Sequence, residues 1–490
     1  MYSMTNVAKS CGAHLAGQCA PATSTARFPR NAAALAFFAA LSAPVAALAH
    51  EVTGACAVVV DPNNAPSTDP RIEHISVAGT NVNVLLPPHY HQNSGKRYPV
   101  LYLFHGAFDD EDSFSTQTDL LSFTAAQPER LQAIVVMPDG SHLPAGRDWV
   151  DGAHPQETYV IKTLLPYIDA HYRTLSDGGH RAGAGFSAGG MNAAVYAARH
   201  PELFAAVGSF SGFLDPFAPA GIDVVQEFVG FEDDLCGGTV GPNDLWGDPV
   251  AHPMGWIGHD PVNLARGLRD ISVYISSADG TPCDDQVDPD PFLVFAESAV
   301  FEMSQSFDRA LTDAGVAHTT KFRNCGIHLF SNSNQDLVEF WPQMFQAFGR
   351  KPPQQFDYRT GDDSASAWDW SFNVLGGRAP EFLDITGASE QGLSLTGSGT
   401  VHVTTAPLFG KYESVVVSGL GGQPTTLHAD FAGRISFDVT LEASHPLEQF
   451  TTAERAAEAA DPHYFATKNV VFARSFGCDG DSDCEHDGEP

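Results

Sequence analysis

The sequence predicts an α/β protein: a mostly parallel sheet with helices on both faces, followed by a small all-β module. Three observations support this prediction. Short continuous apolar runs alternate with helical patterns from residue 98 onward, a rhythm typical of a sheet that is covered on both faces. A glycine-serine-glycine pattern lies between one such run and a helical pattern. Beyond residue 356 the patterning changes to period two, as in strands with one buried face.

The chain is strongly acidic. Its 490 residues carry 26 Lys+Arg against 59 Asp+Glu, a formal net charge of −33. A surface of this charge repels nucleic acid and anionic membranes, so neither is expected as a partner. The length allows two or three domains.

The first 49 residues resemble a targeting segment. Arg27 and Arg30 precede an apolar stretch at 32–43, and a small-x-small cleavage signal lies at 47–49. The stretch is too short and too alanine-rich for a membrane span. A signal peptide over 1–49 is therefore predicted, with a natural start that could lie after the first methionine, and the protein is expected to be secreted, either extracellular or wall-associated. A buried N-terminal helix is the alternative.

Cleavage would leave six of the eight cysteines: Cys56, Cys236, Cys283, Cys325, Cys478 and Cys484. An even number in an exported chain predicts disulfides, although the sequence does not fix their pairing. Cys478 and Cys484 are close enough in sequence to pair locally. No C-x-x-C pair or His/Cys cluster suggests zinc, so no metal or cofactor is expected in the predicted site.

The apolar runs give the order of the predicted elements. Strands are predicted within 71–89 and at 98–104, 133–137, 205–210, 271–276 and 319–323, and helices at 157–172, 191–204 and 291–314. The looser segment 216–268, rich in Gly, Pro and Asp, is predicted to form a cap over the site.

Residues 185–189 read G-x-S-x-G, the nucleophile-elbow pattern of α/β-hydrolases. In that turn a serine sits in a poor backbone conformation between a strand and a helix, and glycines are needed because side chains would collide with both. The predicted strand before the pattern and the predicted helix after it supply this context. Ser187 is therefore the predicted nucleophile.

A serine nucleophile needs a histidine as base and a carboxylate to orient it, in the chain order serine, acid, histidine. His328 follows a predicted strand in a glycine-containing loop and is the preferred base, with a solvated loop histidine as the alternative. His252 and His259 lie in the irregular cap region and are less favoured. For the acid, Asp279 follows a strand at the position that many α/β-hydrolases use. Glu297 lies within the next helix, where a solvated helix face is the plainer interpretation.

The negative charge of the transition state needs backbone N–H donors. Ala188, directly after the nucleophile, is expected to supply one of them. The other is expected from Ala107 or Phe108, in the loop that begins with His105 and Gly106 after the first central strand.

Taken together, these residues resemble the esterase-D-like family of α/β-hydrolases, particularly its secreted mycolyltransferase (antigen 85) branch. The resemblance covers roughly residues 95–348. It rests on the segments 105–106, 137–140, 185–189, 211–216, 245–247, 259–262 and 326–328. It implies an α/β-hydrolase fold and a serine esterase or acyltransferase activity.

The resemblance also bears on the acid and on one disulfide. In the mycolyltransferases the acid is a glutamate ten residues before a Phe-x-x-Ala segment, and Glu297 stands at that interval before Phe307. The role is carried to Glu297, with Asp279 as the competitor. A Cys283–Cys325 disulfide would then tie the loop before that helix to the loop that bears His328.

The chain departs from the mycolyltransferases where they contact trehalose. His105 and Phe108 stand where that branch has aspartate and arginine, and Leu329 and Phe330 follow His328 where a tryptophan is expected. Trehalose is therefore not the expected acceptor. A His-Gly pair at this strand end is what ordinary esterases of the family carry.

The predicted domains are a signal peptide (1–49), an α/β-hydrolase catalytic domain (50–350), a β-sandwich-like accessory domain (356–476) and an acidic, Cys-containing tail (477–490). Trp368 and Trp370 suggest cell-wall or polysaccharide contact through the β-domain, although core packing is the preferred role for both. In the tail, Asp479, Asp481 and Asp483 have the spacing of a calcium loop, but a frayed acidic tail is preferred.

The sequence thus predicts a secreted serine esterase that acts through an acyl-enzyme on an ester or acyl substrate and needs no cofactor. The alternative within enzymes is an acyltransferase that uses a sugar or alcohol in place of water. From another class, a wall- or polymer-binding protein on a hydrolase-like scaffold is the least favoured interpretation, because the Ser187/His328 pair is intact.

Overall fold

A computed structural model describes residues 66–474 except 141–142, 144–145, 151, 153, 217, 219–220 and 236–239. The predicted signal peptide, the acidic tail with its calcium loop, and the cysteines at 56, 236, 478 and 484 lie outside the described residues.

The main sheet has eight strands in the order β1-β2-β4-β3-β5-β6-β7-β8. The strands are β1 (Ile72–Val77), β2 (Thr80–Leu85), β3 (Val100–Phe104), β4 (Ile134–Pro138), β5 (Arg181–Phe186), β6 (Ala206–Phe210), β7 (Ser272–Ala278) and β8 (His318–Arg323). β1 and β2 are antiparallel, and the six strands from β3 to β8 pair in parallel. Every residue of β3, β4, β5 and β6 is buried, as expected of strands that are covered on both faces. The predicted α/β class is confirmed.

The described helices flank this sheet, apart from the last. They are α1 (Ser113–Gln117), α2 (Leu120–Ala125), α3 (Gln156–Thr158), α4 (Leu165–His171), α5 (Ala188–Arg199), α6 (Gly221–Leu235), α7 (Pro253–Ile257), α8 (Pro261–Leu264), α9 (Pro291–Asp313), α10 (Ser333–Ala347) and α11 (Thr452–Ala460). A π-helical segment (Tyr159–Leu164) joins α3 to α4.

Two helices differ from the prediction. α5 begins directly after Ser187, whereas the prediction placed its start at residue 191. The predicted start was too late because Gly189 and Gly190, which lie in the first turn of the helix, on their own favour a turn. α10 was not predicted from the sequence. Pro342 lies inside this helix and, read locally, argues against a helix that runs through it.

The C-terminal part forms two antiparallel sheets, ordered β10-β11-β14-β17 and β16-β15-β18-β13-β12-β9. Their strands are β9 (Gln355–Thr360), β10 (Ser364–Ala367), β11 (Trp370–Leu375), β12 (Leu383–Ser389), β13 (Gly392–Gly397), β14 (Thr400–Thr404), β15 (Ser414–Ser418), β16 (Thr425–His428), β17 (Ser436–Thr440) and β18 (Ala466–Arg474). Trp370 is 3% exposed and lies in the core of this part, while Trp368 packs against that core. The predicted sheets are present, but α11 shows that this part is not purely β. The domain boundaries stay a prediction.

The two parts of the described chain meet where β9 passes the end of α5. The Tyr358 hydroxyl donates to the Arg199 carbonyl oxygen at 2.8 Å, and the Arg199 guanidinium contacts Asp362 at 2.7 Å. Tyr358 is itself buried. The C-terminal end of α5 is therefore covered by the β-part.

The close backbone packing around Gly189 leads to a testable prediction for the turn after β5. A Cβ atom on Gly189 would lie 2.2 Å from the carbonyl oxygen of Phe104 and 2.3 Å from that of His105. Because backbone cannot yield as a flexible side chain does, Gly189→Ala is expected to cost about 3 kcal/mol or more in the free energy of unfolding. Thermal unfolding followed by calorimetry measures this.

Gly230 provides the matched control for that substitution. It lies in α6, and a Cβ there would meet nothing within 4 Å. Gly230→Ala is expected to raise stability by about 0.5–1 kcal/mol, because alanine loses less backbone entropy in a helix. Equal unfolding midpoints for the two variants would contradict the steric argument.

Candidate active site

Ser187 lies at the sharp turn between β5 and α5, as its sequence pattern predicts. Its backbone has φ 55° and ψ −122°, a conformation that non-glycine residues rarely adopt. Two hydrogen bonds hold it there: Ser187 N donates to the Phe210 carbonyl oxygen at 2.9 Å, and Phe213 N donates to the Ser187 carbonyl oxygen at 3.1 Å. The strained turn is thus fixed by the neighbouring strand β6 and the segment that follows it.

Glu297 and His328 form a close pair near the same edge of the sheet. His328 Nδ1 lies 2.7 Å from Glu297 Oε2. The Glu297 side chain is fully buried in α9, and the His328 side chain is 11% exposed. A buried carboxylate on Nδ1 orients the imidazole and leaves Nε2 for chemistry.

The other oxygen of Glu297 accepts three hydrogen bonds. Its Oε1 receives the Ser211 hydroxyl at 2.7 Å, the Ser277 hydroxyl at 3.0 Å and the Ala278 backbone N–H at 2.7 Å. Burial alone would raise the pKa of Glu297, but the hydrogen bond and charge of His328, together with these donors, lower it overall. The carboxylate is therefore held ionised and in one orientation.

Sequence reasoning missed Ser211 and Ser277. Ser211 follows β6 with a positive φ of 46°, and Ser277 lies near the end of β7. Ser211 belongs to a segment that supports the family resemblance, and this was the available signal. Ser277 gave no local signal, because nothing in a short apolar strand identifies which hydroxyl will face a helix residue twenty positions later.

Asp279 lies in the turn that follows β7. Its carboxylate accepts the Thr281 N–H at 2.8 Å, and its own N–H donates to the Arg323 carbonyl oxygen at 3.1 Å. These bonds are those of a residue that closes the turn after β7. The structure brings Glu297, and not Asp279, to His328.

The His328 ring stacks on the ring of Phe186, the residue before the serine. The ring centroids are 4.6 Å apart with an interplanar angle of 29°. The predicted disulfide Cys283–Cys325 is present, with the Cα atoms 5.1 Å apart. It joins the loop before α9 to the loop that leads into His328, which is the link that the sequence suggested.

The predicted oxyanion donors flank Ser187. Ala188 is the first residue of α5, so its N–H has no acceptor four residues earlier in the helix. Phe108 has a positive φ of 62°, and its ring packs edge-on against Phe228 of α6, with centroids 5.5 Å apart. A Cβ on Gly106 would lie 3.4 Å from Ser187 Cβ, so the loop that contains Ala107 passes directly over the serine.

His105 is buried beneath the loop after β3. It is 2% exposed, with Nδ1 2.7 Å from the Gly106 carbonyl oxygen and Nε2 accepting the Gly140 N–H at 2.7 Å. With both ring nitrogens engaged, His105 connects the loop after β3 to the loop after β4. It positions the backbone and is not exposed to a substrate.

The described residues contain neither a metal-binding cluster nor a membrane-spanning helix. In the part of the chain that the structure describes, no group of three or more His, Cys, Asp or Glu side chains has an arrangement that would hold a metal ion. Among the same residues, no helix is both long and apolar enough to cross a membrane.

A serine on a strand–helix turn, preceded by a phenylalanine on which the imidazole of a histidine–carboxylate pair stacks, is the arrangement of the α/β-hydrolase class when it lies at the edge of a mostly parallel sheet. The Esterase family model matches residues 78–348, more than half of the chain. The chain belongs to this family, and the predicted resemblance is confirmed.

Two relatives illustrate the match. An esterase of Mycobacterium tuberculosis (strain CDC 1551 / Oshkosh), Esterase MT1326, is 35% identical over 282 residues, which cover 53% of this chain and 56% of the relative. The diacylglycerol acyltransferase/mycolyltransferase Ag85A of Mycobacterium leprae is 26% identical over 273 residues, covering 53% of this chain and 79% of the relative. The chain thus spans about half the length of that esterase.

Solved structures with a similar fold include MPT51 (FbpC1) of Mycobacterium tuberculosis. It is 20% identical, with a TM-score of 0.47, covering 57% of this chain and 100% of that one. A ferulic acid esterase is 22% identical, with a TM-score of 0.42, covering 56% of this chain and 98% of that one.

Proposed function

We propose that the protein is an exported serine esterase in which Ser187, His328 and Glu297 form the catalytic triad. The observation that carries the proposal is the 2.7 Å contact between Glu297 Oε2 and His328 Nδ1, with the imidazole stacked against the residue before Ser187. The strained backbone of Ser187 supports the nucleophile role, because strain of this kind collects at functional sites.

In the proposed reaction His328 Nε2 takes the proton of the Ser187 hydroxyl as Oγ attacks the carbonyl carbon of the ester. The Ala188 N–H and the N–H of Ala107 or Phe108 stabilise the oxyanion. The tetrahedral intermediate collapses, and His328 returns the proton to the departing alcohol. Water then attacks the acyl-enzyme by the same route, which releases the acid and restores Ser187. This chemistry needs no cofactor.

The second candidate is acyl transfer to an alcohol or sugar. The similarity to a protein named diacylglycerol acyltransferase/mycolyltransferase favours it. At the positions where the mycolyltransferases contact trehalose, however, this chain has a buried His105 and a Phe108 packed on Phe228. Water is therefore the proposed acceptor.

Export is proposed from the signal-like sequence over 1–49 and is supported by the Cys283–Cys325 disulfide, since disulfides persist in oxidising compartments. Contact of the β-part with wall or polysaccharide also remains a proposal. Trp370 is buried in the core, so such contact would have to use other side chains.

Trapping the acyl-enzyme tests the proposed function. The protein is mixed rapidly with p-nitrophenyl butyrate, quenched in acid and analysed by intact mass and peptide mapping. The expected result is a burst of p-nitrophenol equal to the enzyme concentration and a butyryl adduct on the peptide that contains Ser187. Turnover with the adduct on another residue would refute the assignment. Adding an alcohol or a sugar and measuring the fraction of new ester separates hydrolysis from acyl transfer.

A further inference from the structure

A cavity lies at the C-terminal end of α5, between that helix and the β-part. Its volume is about 540 Å³, within the range of small-molecule sites. Arg199, the last residue of α5, lines it, whereas Ser187 directly precedes the first residue of the helix. Twelve residues of helix separate the two by about 18 Å. The cavity is therefore distinct from the proposed active site.

The carboxylates that line this cavity are already engaged. Glu157 Oε1 contacts Arg199 Nε and His200 Nε2, both at 2.8 Å. Asp362 contacts Arg199 Nη2 at 2.7 Å. The Asp148 carboxylate accepts the N–H of Thr158 at 2.9 Å and its hydroxyl at 2.5 Å. Each of these carboxylates is thus hydrogen-bonded to a donor other than the second arginine that lines the cavity.

That arginine is Arg147, and its contacts are all to uncharged groups. Nε donates to the Asp148 carbonyl oxygen at 2.8 Å, and Nη1 donates to the Gly255 carbonyl oxygen at 2.8 Å. Nη1 also lies 3.1 Å from His259 Nδ1. Within the described residues, no carboxylate comes within 4.0 Å of the guanidinium.

The His259 contact does not neutralise Arg147. Burial, together with the nearby charges of Arg147 and Arg199, lowers the pKa of His259 well below its ordinary value, so this ring is a neutral acceptor. Burial also lowers the pKa of Arg147, to about 10, which still leaves it charged at neutral pH. A largely desolvated cation without a carboxylate in direct contact is costly in an isolated protein, and this cost is offset when an anion binds beside it.

The opposite wall carries hydroxyl groups. Ser364, Ser366 and Ser371 line the cavity from β10 and β11, and Ser366 pairs with Ser371 across the two strands. Hydroxyls can both donate to and accept from the hydroxyls of a ligand. Besides the paired carboxylates, the lining therefore combines Arg147 and the exposed Lys162 with a wall of hydroxyl groups.

We propose that this cavity binds an acidic monosaccharide unit, with its carboxylate against Arg147 and its hydroxyls against Ser364, Ser366 and Ser371. This role goes beyond ester hydrolysis and does not depend on the triad. It would give the β-part and the hydrolase part a shared ligand at their junction.

The test is titration calorimetry on the full chain with sodium glucuronate, glucose and sodium sulfate as probes, at constant ionic strength. Saturable binding is expected for glucuronate, with at least tenfold weaker binding of glucose and sulfate. Arg147→Gln is expected to weaken glucuronate binding at least tenfold. Arg97→Gln is the matched control, because Arg97 likewise donates to a backbone carbonyl, that of Thr174 at 3.1 Å, but lies outside this cavity. It should bind as the parent protein does.

Ser366→Phe is a second test of the site, and its result does not depend on whether the Arg147→Gln variant folds correctly. Ser366 is exposed at the cavity, so a phenyl ring there should fill the space and abolish binding without disturbing a core. Ser187→Ala should bind glucuronate unchanged. Absence of saturable heat with glucuronate, equal binding of glucose or sulfate, unchanged binding by Arg147→Gln or Ser366→Phe, or loss of binding in Ser187→Ala would each overturn the proposal.

Discussion

Ser187→Ala is expected to lower the hydrolysis rate of p-nitrophenyl esters by about 10⁵–10⁶-fold, as loss of the nucleophile does in other triad enzymes. Without the hydroxyl, no acyl-enzyme forms, and only substrate binding and the oxyanion donors remain. The measurement is kcat on esters of increasing acyl length, which also maps the acyl preference. The loss should be similar at every length, because the substitution removes a chemical step that all these esters share.

Ser298→Ala is the matched control for this variant. Ser298 follows Glu297 in α9, and its hydroxyl donates to the Val294 carbonyl oxygen at 3.0 Å, away from the proposed triad. Its rates should stay within a few-fold of the parent protein. If Ser187→Ala hydrolyses the esters as fast as the parent protein, the proposed function is wrong.

Glu297→Gln is expected to lower kcat by about 10³–10⁴-fold through the tautomer of His328. In the parent protein Oε1 of Glu297 accepts three hydrogen bonds. One of the donors is the backbone N–H of Ala278, which cannot act as an acceptor for an NH₂ group. The glutamine oxygen must therefore take that position, which turns the NH₂ group toward His328 Nδ1. Nδ1 would then have to accept, the proton would move to Nε2, and the imidazole could no longer take a proton from Ser187.

Asp279→Asn discriminates between the two acids that the sequence left open. Among the described residues, the donor to the Asp279 carboxylate is the Thr281 N–H of the same turn, so this variant should keep most of the parental kcat. Thermal unfolding midpoints for both variants separate catalytic from folding effects. A larger loss in Asp279→Asn than in Glu297→Gln would transfer the acid role to Asp279.

Sequence patterns predicted those features of the fold and site that depend on local physics. Continuous apolar runs located the parallel strands, because a strand covered on both faces cannot alternate. The glycines around Ser187 located the turn, because its geometry excludes side chains. Glu297 differs, since helical periodicity places it equally well on a solvated face, and only the family resemblance favoured it.

Features that depend on distant contacts were not predictable in this way. The convergence of Ser211 and Ser277 on one carboxylate oxygen depends on the packing of α9 across the ends of β6 and β7. α11 is short and polar, and its N-terminus is held by Thr451, whose side chain accepts the Glu454 N–H at 3.3 Å. Such a helix has too weak an apolar pattern to stand out among strands of period two.

The stacking of His328 on Phe186 gives the serine pattern a second role. The residue before the serine varies freely in the G-x-S-x-G pattern, yet here its ring forms the surface against which the imidazole rests. A change at this position would therefore tilt the proposed base relative to the proposed nucleophile without touching either of them. Five consecutive residues thus carry the proposed nucleophile and set the orientation of the proposed base.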